Sequence, residues 1–443
     1  MTTVPQRPWW AFAILAVLLL GATMAWHLPM MLWDHIDLVP IHEAWREGAL
    51  ASSGFWRIHD GSHLHASGYA VLLLTTTLSG GQPWLDCLAS LCLLVLQAWI
   101  LMRVAGAAPA GRIEGVWLLA LLWLALNPGH LVNLQWGWQV AVFISTLGAV
   151  ATIALLTRPG LSAAGNLLAA LLASLGVLGF STTLAVFPIA LGLLALHPGL
   201  SRAQRALWAL PWLLAGAALV GWVWAGRAGT AAMPGLGTLL AYVLNYLGAG
   251  VSRLATAAAP VWAALALATA AWTVVRRWHP ALLPWLALML FGIGCALLTA
   301  LGRAAEYGAD HAFVTRYVSF SSLFWFGWTG LMLVAWRDAQ PAWRRLVRPL
   351  LSVLLVFLLG NGIHMAKQAR ELHVRAQGYA AHIRASWPDV DAEVMEAAYG
   401  WRAEAAHGHL ATLRKRGFAP FDDAPAATGA DAGSGQDETR SAQ

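Results

Sequence analysis

Apolar segments of membrane-spanning length recur along most of the chain, and they restrict its fold more than any other feature of the sequence. The chain is 59% hydrophobic and only 11% charged. A nearly uncharged run of about 20 residues is typical of a transmembrane helix. We therefore predict an all-α polytopic membrane protein with about 11 transmembrane helices. The predicted helices cover residues 9–32, 83–105, 114–127, 134–156, 162–180, 182–197, 206–226, 256–275, 280–301, 317–336 and 349–364.

The remaining composition argues against two other classes of protein. Cys87, Cys92 and Cys295 all lie in apolar runs, so the sequence indicates neither a disulfide framework nor a CxxC metal site. The net charge is +6, but most of the arginines lie in short loops between apolar segments. They are therefore interpreted as topology signals rather than as a surface that binds nucleic acid.

The placement of these arginines predicts the orientation of the helices. With the N-terminus in the cytoplasm, the inner loops carry twelve arginines and the outer side carries six before the C-terminal tail. This distribution follows the positive-inside rule. It requires that residues 66–80 do not cross the membrane, and this run is shorter than the ~20 residues that a span needs. Residues 34–82 are then one long outer loop with two membrane-surface helices, at about 38–50 and 63–79.

Three regions follow from the fall in hydrophobicity after Asn361. Residues 1–364 are predicted to form a transmembrane catalytic domain. Residues 365–419 are predicted to form an amphipathic, helical, extracytoplasmic tail, which is interrupted by a turn at "SWPDVD". Residues 420–443 are rich in Ala, Gly, Asp and Ser and are predicted to be disordered.

Acidic residues are concentrated on one predicted face of the membrane. Residues 1–364 contain ten carboxylates, and eight of them fall on the outer side. The positive-inside rule predicts little about acidic residues, so a functional site on the outer face is the simplest explanation. Four of the eight belong to "WDHIDLVPIHEAWREG", which starts at Trp33 directly after the first predicted helix.

Asp34 and Asp37 in this segment are the predicted catalytic residues. They are three positions apart, so they share a face on one helical turn. A carboxylate in that place can accept the proton of an attacking hydroxyl. The sequence does not decide which of the two is the base. Both could instead be solvated loop groups, and Asp37 could cap the helix that follows.

A second polar cluster lies further along the same outer loop. Asp60, His63 and His65 are predicted to bind substrate by hydrogen bonds, with His59 beside them. His59 and His63 would share a helix face, and imidazole and carboxylate groups also suit Zn²⁺ or Mn²⁺. The spacing matches no dedicated metal motif. No metal is therefore assigned, and a divalent cation is kept as an alternative.

Polar side chains also enter a predicted span at "NLQWGWQ". Asn133 and Gln139 are predicted to bind substrate, because amide groups that enter a span need partners. Gln135 is predicted to share a helix face with Gln139. The tryptophans of the motif suit a sugar ring, but they suit the interfacial aromatic belt equally well.

Two arginines bracket the polar segment "AAEYGADHAFVT" between the ninth and tenth predicted spans. Arg303 and Arg316 are predicted to bind a phosphate, because a guanidinium matches phosphate oxygens bidentately. Tyr317 is predicted to add a donor beside Arg316. The alternatives for Arg316 are an internal ion pair with Glu306 or Asp310, or a position at the lipid headgroups.

These features together resemble a known plan. A carboxylate just outside the first helix, two surface helices and a histidine-bearing loop are similar to membrane glycosyltransferases of the GT-C class, which use polyprenyl-phosphate-linked sugars. "NLQWGWQ" and the later "RYVSFS" look like a loosely characterised bacterial branch of that class. The resemblance covers about the first 340 residues as architecture, and only short motifs as sequence.

The resemblance implies an inverting transferase that moves a sugar from a polyprenyl phosphate to an extracytoplasmic glycan or lipid. It implies an acidic residue near position 34 as the base, and a location in the bacterial inner membrane with a periplasmic C-terminus. Two alternatives stay open. One is a lipid or glycan transporter or flippase, although transporters usually place charges near mid-membrane and have two related halves. The other is an O-antigen-type polymerase or ligase.

Overall fold

The structure is a computed structural model that describes residues 9–59, 63–107, 115–226, 232–337 and 341–422. These residues form seventeen α-helices and one two-stranded sheet. The α-helices are α1 Trp9–Ala25, α2 Leu38–Arg46, α3 Ala66–Leu78, α4 Trp84–Ala107, α5 Gly115–Ala125, α6 Leu131–Leu134, α7 Val140–Leu156, α8 Ala163–Gly179, α9 Val186–Leu196, α10 Arg202–Ala225, α11 Leu236–Gly248, α12 Ala259–Arg277, α13 Leu283–Tyr307, α14 Val318–Arg337, α15 Pro341–Ser386, α16 Ala392–Tyr399 and α17 Ala403–Arg416. The strands are β1 Ile58–His59 and β2 His63–Leu64, which pair antiparallel.

Short 3-10 helices connect these elements and form several of the turns at the ends of the bundle. They are Trp33–Asp37, Leu50–Ser52, Gly54–Trp56, Pro128–His130, Gly137–Gln139, Ser181–Ala185, Thr256–Ala258, Pro280–Leu282, Ala309–Phe313, Thr315–Tyr317 and Gly400–Arg402.

The prediction of an all-α polytopic membrane protein is confirmed at this level. Within the described residues, eight helical segments are long and apolar enough to cross a membrane. These segments are Trp84–Gly106, Gly115–Leu134, Gly137–Leu156, Arg202–Ala225, Thr256–Arg277, Pro280–Tyr307, Thr315–Trp336 and Pro349–Ser386. Each overlaps one of the predicted spans.

The other three predicted spans are helical but shorter. The segments 9–32, 162–180 and 182–197 correspond to helical segments of 10 to 17 residues at Trp9–Ala25, Ala163–Gly179 and Ser181–Leu196. The first helix ends early because the chain turns away after Ala25, where the Leu28 amide donates to the Gln135 carbonyl 3.0 Å away. These three segments remain predictions as membrane spans.

The bundle is centred on α14, whose apolar window is 94% buried, whereas that of α10 is only 22% buried. Close packing of α14 against α13 depends on glycine. A Cβ at Gly327 would lie 2.6 Å from the Trp285 carbonyl oxygen, and one at Gly292 would lie 2.7 Å from Cβ of Phe324. Small residues allow helix backbones to approach in this way, and such contacts are common between membrane helices.

The segment predicted as the first outer loop differs in part from its prediction. The helix expected at 38–50 is α2, Leu38–Arg46, and the helix expected at 63–79 is α3, Ala66–Leu78. The residues just before α3 do not continue this helix. They form the second strand of a small hairpin, in which His59 faces His63.

The C-terminal region returns to this loop. Helix α15 is continuous across residue 364, where the predicted membrane domain ends, and stops at Ser386 as the "SWPDVD" turn predicts. Helices α16 and α17 then pack near α2 and the 3-10 turn Trp33–Asp37. The residues from 423 onward, which include most of the segment predicted to be disordered, lie outside the described residues.

Candidate functional site

A narrow cavity lies at one end of the bundle, where α7 and α14 begin and α8 and α13 end. Its volume is about 20 Å³. Six of the ten predicted site residues line it, although they come from four separate parts of the sequence. The lining residues are Asp34, His59, His63, His65, Trp138, Gln139, Ala141, Val142, Phe180, Arg303 and Arg316.

A strained backbone turn places Asp34 at this cavity. Leu32 is extended and Trp33 has a φ of +49°, which is uncommon for a bulky residue. The conformation is held by Trp136, whose indole nitrogen donates to the Leu32 carbonyl at 3.2 Å and whose ring packs edge-on to Trp33 at 5.0 Å. The chain then makes a 3-10 turn from Trp33 to Asp37. Strained turns of this kind often occur at functional sites.

Arg402 binds both predicted catalytic carboxylates. Its Nη1 lies 2.7 Å from Oδ1 of Asp34, and its Nε donates to Oδ2 of Asp37 at 2.7 Å. Its Nη2 lies 3.2 Å from Nε2 of His59. The Arg402 side chain is only 4% exposed, although it comes from the C-terminal tail. The prediction that Asp34 and Asp37 share a face therefore agrees with the structure, but their common partner was not predicted.

Asp37 lies beside the cavity rather than in it. It lines a neighbouring groove of about 490 Å³ together with Glu47, Arg57 and Tyr69. His59 lines both the groove and the cavity, so the two spaces meet there. Burial raises the pKa of Asp37 above its ordinary value, while the Arg402 guanidinium lowers it in part. The two carboxylates therefore face different spaces while sharing one arginine.

The histidine cluster has a different geometry from the one predicted. His59 and His63 were expected on one helix face, but this prediction is wrong because they are opposite each other in a β-hairpin. The hairpin is docked on the turn that follows α8. The Leu64 amide donates to Oγ of Ser181 at 2.9 Å, and His63 stacks on Phe180 with 3.9 Å between ring centroids.

Both predicted histidines are neutral at physiological pH. Burial lowers the pKa of His65 to about 3, and burial is also the largest cause that holds the pKa of His63 well below its ordinary value. Nδ1 of His65 lies 2.9 Å from the Gly179 carbonyl oxygen, so a neutral ring that is protonated at Nδ1 satisfies this contact. In the cavity, the positive charge therefore comes from the arginines and not from these imidazoles.

Arg303 and Arg316 reach the cavity from opposite ends of the same polar segment. Arg303 belongs to the end of α13 and lies over the Tyr307 ring, 5.7 Å from its centroid. Arg316 precedes α14 and is partly buried. For Arg316, no ion pair with Glu306 or Asp310 is found within the described part of the chain. The structure therefore does not support the internal ion pair as an explanation for Arg316.

The "NLQWGWQ" motif divides into a structural part and a cavity part. Nδ2 of Asn133 donates to the Thr315 carbonyl and to Oγ of Ser319, both at 3.2 Å, so this residue ties α6 to the start of α14. Gln139 lines the cavity. The prediction that Gln135 and Gln139 share a helix face is wrong, because the helix breaks at Trp136, which has extended backbone angles.

Tyr317 is a predicted binding residue that does not line the cavity. Tyr317 is 3% exposed and stacks on Tyr246 with 4.9 Å between ring centroids, so it packs in the core instead of lining the site. Asp60 lies outside the described residues. Among the residues that are described, no group of three or more His, Cys, Asp or Glu side chains is arranged to hold a metal ion.

Sequence reasoning missed one charged residue of the site and did not include its aromatic wall. Arg402 has no local signal, because it is one of many charged residues in an amphipathic tail. Trp138 lies in the motif "NLQWGWQ", but an aromatic residue in such a protein is equally consistent with the interfacial belt. His59 was considered as an alternative metal ligand but was not among the predicted substrate-binding residues.

Comparison of the chain with protein-family models, with curated proteins and with solved structures found no match.

Proposed function

We propose that this protein is a membrane glycosyltransferase that moves a sugar from a polyprenyl-phosphate donor to a glycan or lipid acceptor on the outer face. The observation that carries the proposal is the meeting of Asp34, Arg303 and Arg316 in one cavity at the ends of the membrane helices. A base and two guanidinium groups are the groups that displacement of a phosphate from a sugar requires.

Each charged residue has a separate task in this reaction. Asp34 takes the proton of the acceptor hydroxyl, and the oxygen of that hydroxyl forms a bond to the anomeric carbon of the sugar. The bond from that carbon to the phosphate oxygen breaks, and the electron pair leaves with the polyprenyl phosphate. Arg303 and Arg316 bind the phosphate as its negative charge grows. Attack from the face opposite the phosphate inverts the anomeric centre.

The position of Asp34 favours it over Asp37 as the base. Asp34 lines the same cavity as the two arginines, whereas Asp37 lines the adjoining groove. The groove carries hydroxyl, carboxylate and guanidinium groups, which suits a polar acceptor. Donor and acceptor would then meet near His59, where the two spaces join.

Binding of a donor requires the cavity to widen. A volume of about 20 Å³ holds one water molecule, whereas ligand pockets usually measure roughly 300–1,000 Å³. Site loops that close around a substrate exclude water from the reaction. Strands β1 and β2 carry His59 and His63 on the cavity wall, and they would have to move for the cavity to widen.

The test is transfer by purified protein in nanodiscs, with a panel of radiolabelled polyprenyl-phosphate sugars and a lipid extract as the acceptor source. Transfer of label from at least one donor supports the proposal, and inversion is checked by the anomeric configuration of the product. Translocation of the donor across proteoliposomes, without any cleavage of the sugar–phosphate bond, would instead identify a flippase.

A further inference from the structure

The C-terminal segment 387–422 contributes a side chain to the site. Arg402 lies in the turn between α16 and α17, and its guanidinium spans Asp34, Asp37 and His59. It is almost fully buried, and its Cζ lies 3.9 Å from the centre of the Trp401 ring. A buried arginine is costly unless each nitrogen has a partner. Here Asp34, Asp37 and His59 supply these partners, one for each guanidinium nitrogen.

The two carboxylates need such a cation. Asp34 and Asp37 lie on one short turn, and two like charges at this separation repel each other. Among the described ion pairs, Arg402 is the cation that bridges Asp34 and Asp37. The bridge uses Oδ1 of Asp34 and Oδ2 of Asp37, one oxygen of each group. The second oxygen of Asp34 is then left for a substrate hydroxyl.

Contacts outside the site hold the segment in place independently. Arg416 forms two hydrogen bonds to the Glu43 carboxylate, at 3.1 and 2.6 Å, and Gln82 donates to Asp422 at 2.8 Å. Phe418 packs on Gly81, which has a φ of +82° and where a Cβ would lie 2.1 Å from the ring. Arg402 is therefore presented by a docked segment and does not have to hold that segment by itself.

We propose that Arg402 is a positioning residue, which orients Asp34 as the base and makes the C-terminal segment a part of the site. This inference rests on the proposed function for the identity of the reaction. The geometry itself does not depend on that function, so its effect on the carboxylates can be measured without a substrate.

The first measurement is kinetic and compares Arg402→Met with Arg416→Met. Both substitutions remove an arginine of the same segment that binds a carboxylate of the first outer loop. We expect Arg402→Met to lower kcat about 10–100-fold with little change in the KM for the donor, because orientation of the base is lost. Arg416→Met should lower the melting temperature and leave kcat near wild type. Arg402→Lys should restore kcat only in part, because one ammonium cannot hold both carboxylates in the same geometry.

The second measurement needs no activity. The groups that face the Asp37 carboxylate are Arg402, His59, Asp34 and His409. Infrared titration of protein in nanodiscs follows the protonated carboxyl band, and the band that Asp37→Asn removes is assigned to Asp37. Arg402→Met should move its midpoint up by about 1–3 pH units, as expected when a neighbouring arginine is lost. Arg416→Met should not move it.

The outcomes separate the two proposals. If Arg402→Met shifts the Asp37 midpoint but the wild-type protein transfers no sugar, the proposed function is contradicted and the pairing of Arg402 stays intact. An unshifted midpoint, or equal losses of kcat in Arg402→Met and Arg416→Met, overturns the positioning role.

Discussion

The pair Asp34 and Asp37 and the single residue Asp86 lie near the same end of the bundle, and they differ in exposure and in the charge of their partners. Asp34 and Asp37 have side chains that are 19% and 28% exposed, and they share Arg402. Asp86, at the start of α4, is 1% exposed and contacts neutral partners. Thr75 donates a hydrogen bond to its Oδ1, and Nε2 of His35 lies 3.6 Å from its Oδ2.

This difference is the reason to assign a structural role to Asp86 and to propose a functional role for Asp34 and Asp37. Burial lowers the pKa of His35 to about 3, so this partner of Asp86 is a neutral imidazole. Gly137 closes the space beside Asp86, because a Cβ there would lie 2.5 Å from Cβ of Asp86. A sealed carboxylate with neutral partners holds helices together. A partly exposed carboxylate with an arginine, next to a cavity, can exchange its proton with a substrate.

The largest expected effect is the loss of transfer in the double variant Asp34→Asn/Asp37→Asn. General base catalysis contributes about 10²–10⁴-fold, so kcat should fall by that factor. The variant should still fold, because Asn keeps the shape of Asp. Asp310→Asn is the matched control, since Asp310 is exposed and does not line the cavity. Full transfer by the double variant would remove these residues from the mechanism.

The next effect in size is the loss of donor affinity in Arg316→Lys. A hydrogen bond to a charged group contributes about 1.5–3 kcal/mol, and Lys cannot reproduce the planar fork of Arg. We expect the Kd for a polyprenyl-phosphate donor to rise about 10–100-fold in a binding assay. Arg46→Lys is the control, because Arg46 is exposed at the end of α2. Equal donor affinity in both variants would exclude a bidentate phosphate contact at Arg316.

The substitution Asp86→Ala tests the structural role that the comparison assigns to Asp86. This substitution removes the hydrogen bond that Thr75 donates to Asp86, and the loss of one intramolecular hydrogen bond costs about 0.5–1.5 kcal/mol. We expect the melting temperature in detergent to fall by several degrees, while kcat per folded molecule stays near that of wild type. A loss of kcat without loss of stability would mean that Asp86 acts in the reaction.

The smallest expected effect is the contribution of His65 to the pH dependence of the melting temperature. The pKa of His65 is lowered from 6.5 to about 3, so the unfolded chain binds a proton in this range that the folded protein excludes. Stability is therefore fully present above pH ~6.5 and is lost as the pH falls. The melting temperature should drop on acidification, and less steeply in His65→Gln. Parallel profiles for the two proteins would contradict the buried neutral state of His65.

Much of the fold follows from patterns that a single segment carries. The long apolar runs predict helices such as α13 and α14, because an isolated backbone in lipid must satisfy its own hydrogen bonds. The break at "SWPDVD" was predicted from Pro388. The histidine hairpin was not predicted, because its two-residue strands depend on docking against Phe180 and Ser181, more than a hundred positions away.

The candidate site was predictable only where polar residues stand out from an apolar background. Asp34, Arg303 and Arg316 stand out in this way, since charge at the end of a membrane helix needs a reason. Tyr317 and Asn133 stand next to such residues but face the core, and their direction depends on how α14 packs. Residue type and position could not decide between these two outcomes.

The sequence by itself determined that this protein is a helical membrane protein, and it predicted that most acidic residues lie near one set of helix ends. Hydrophobic length and charge placement act within each segment, so they can be read without knowledge of the other segments. Only the tertiary structure decided that Arg402 binds Asp34 and Asp37. These partners are about 365 positions apart, and one charged residue among many in the tail has no local mark. Their pairing depends on the docking of α16 and α17, which arises from contacts among all the packed helices.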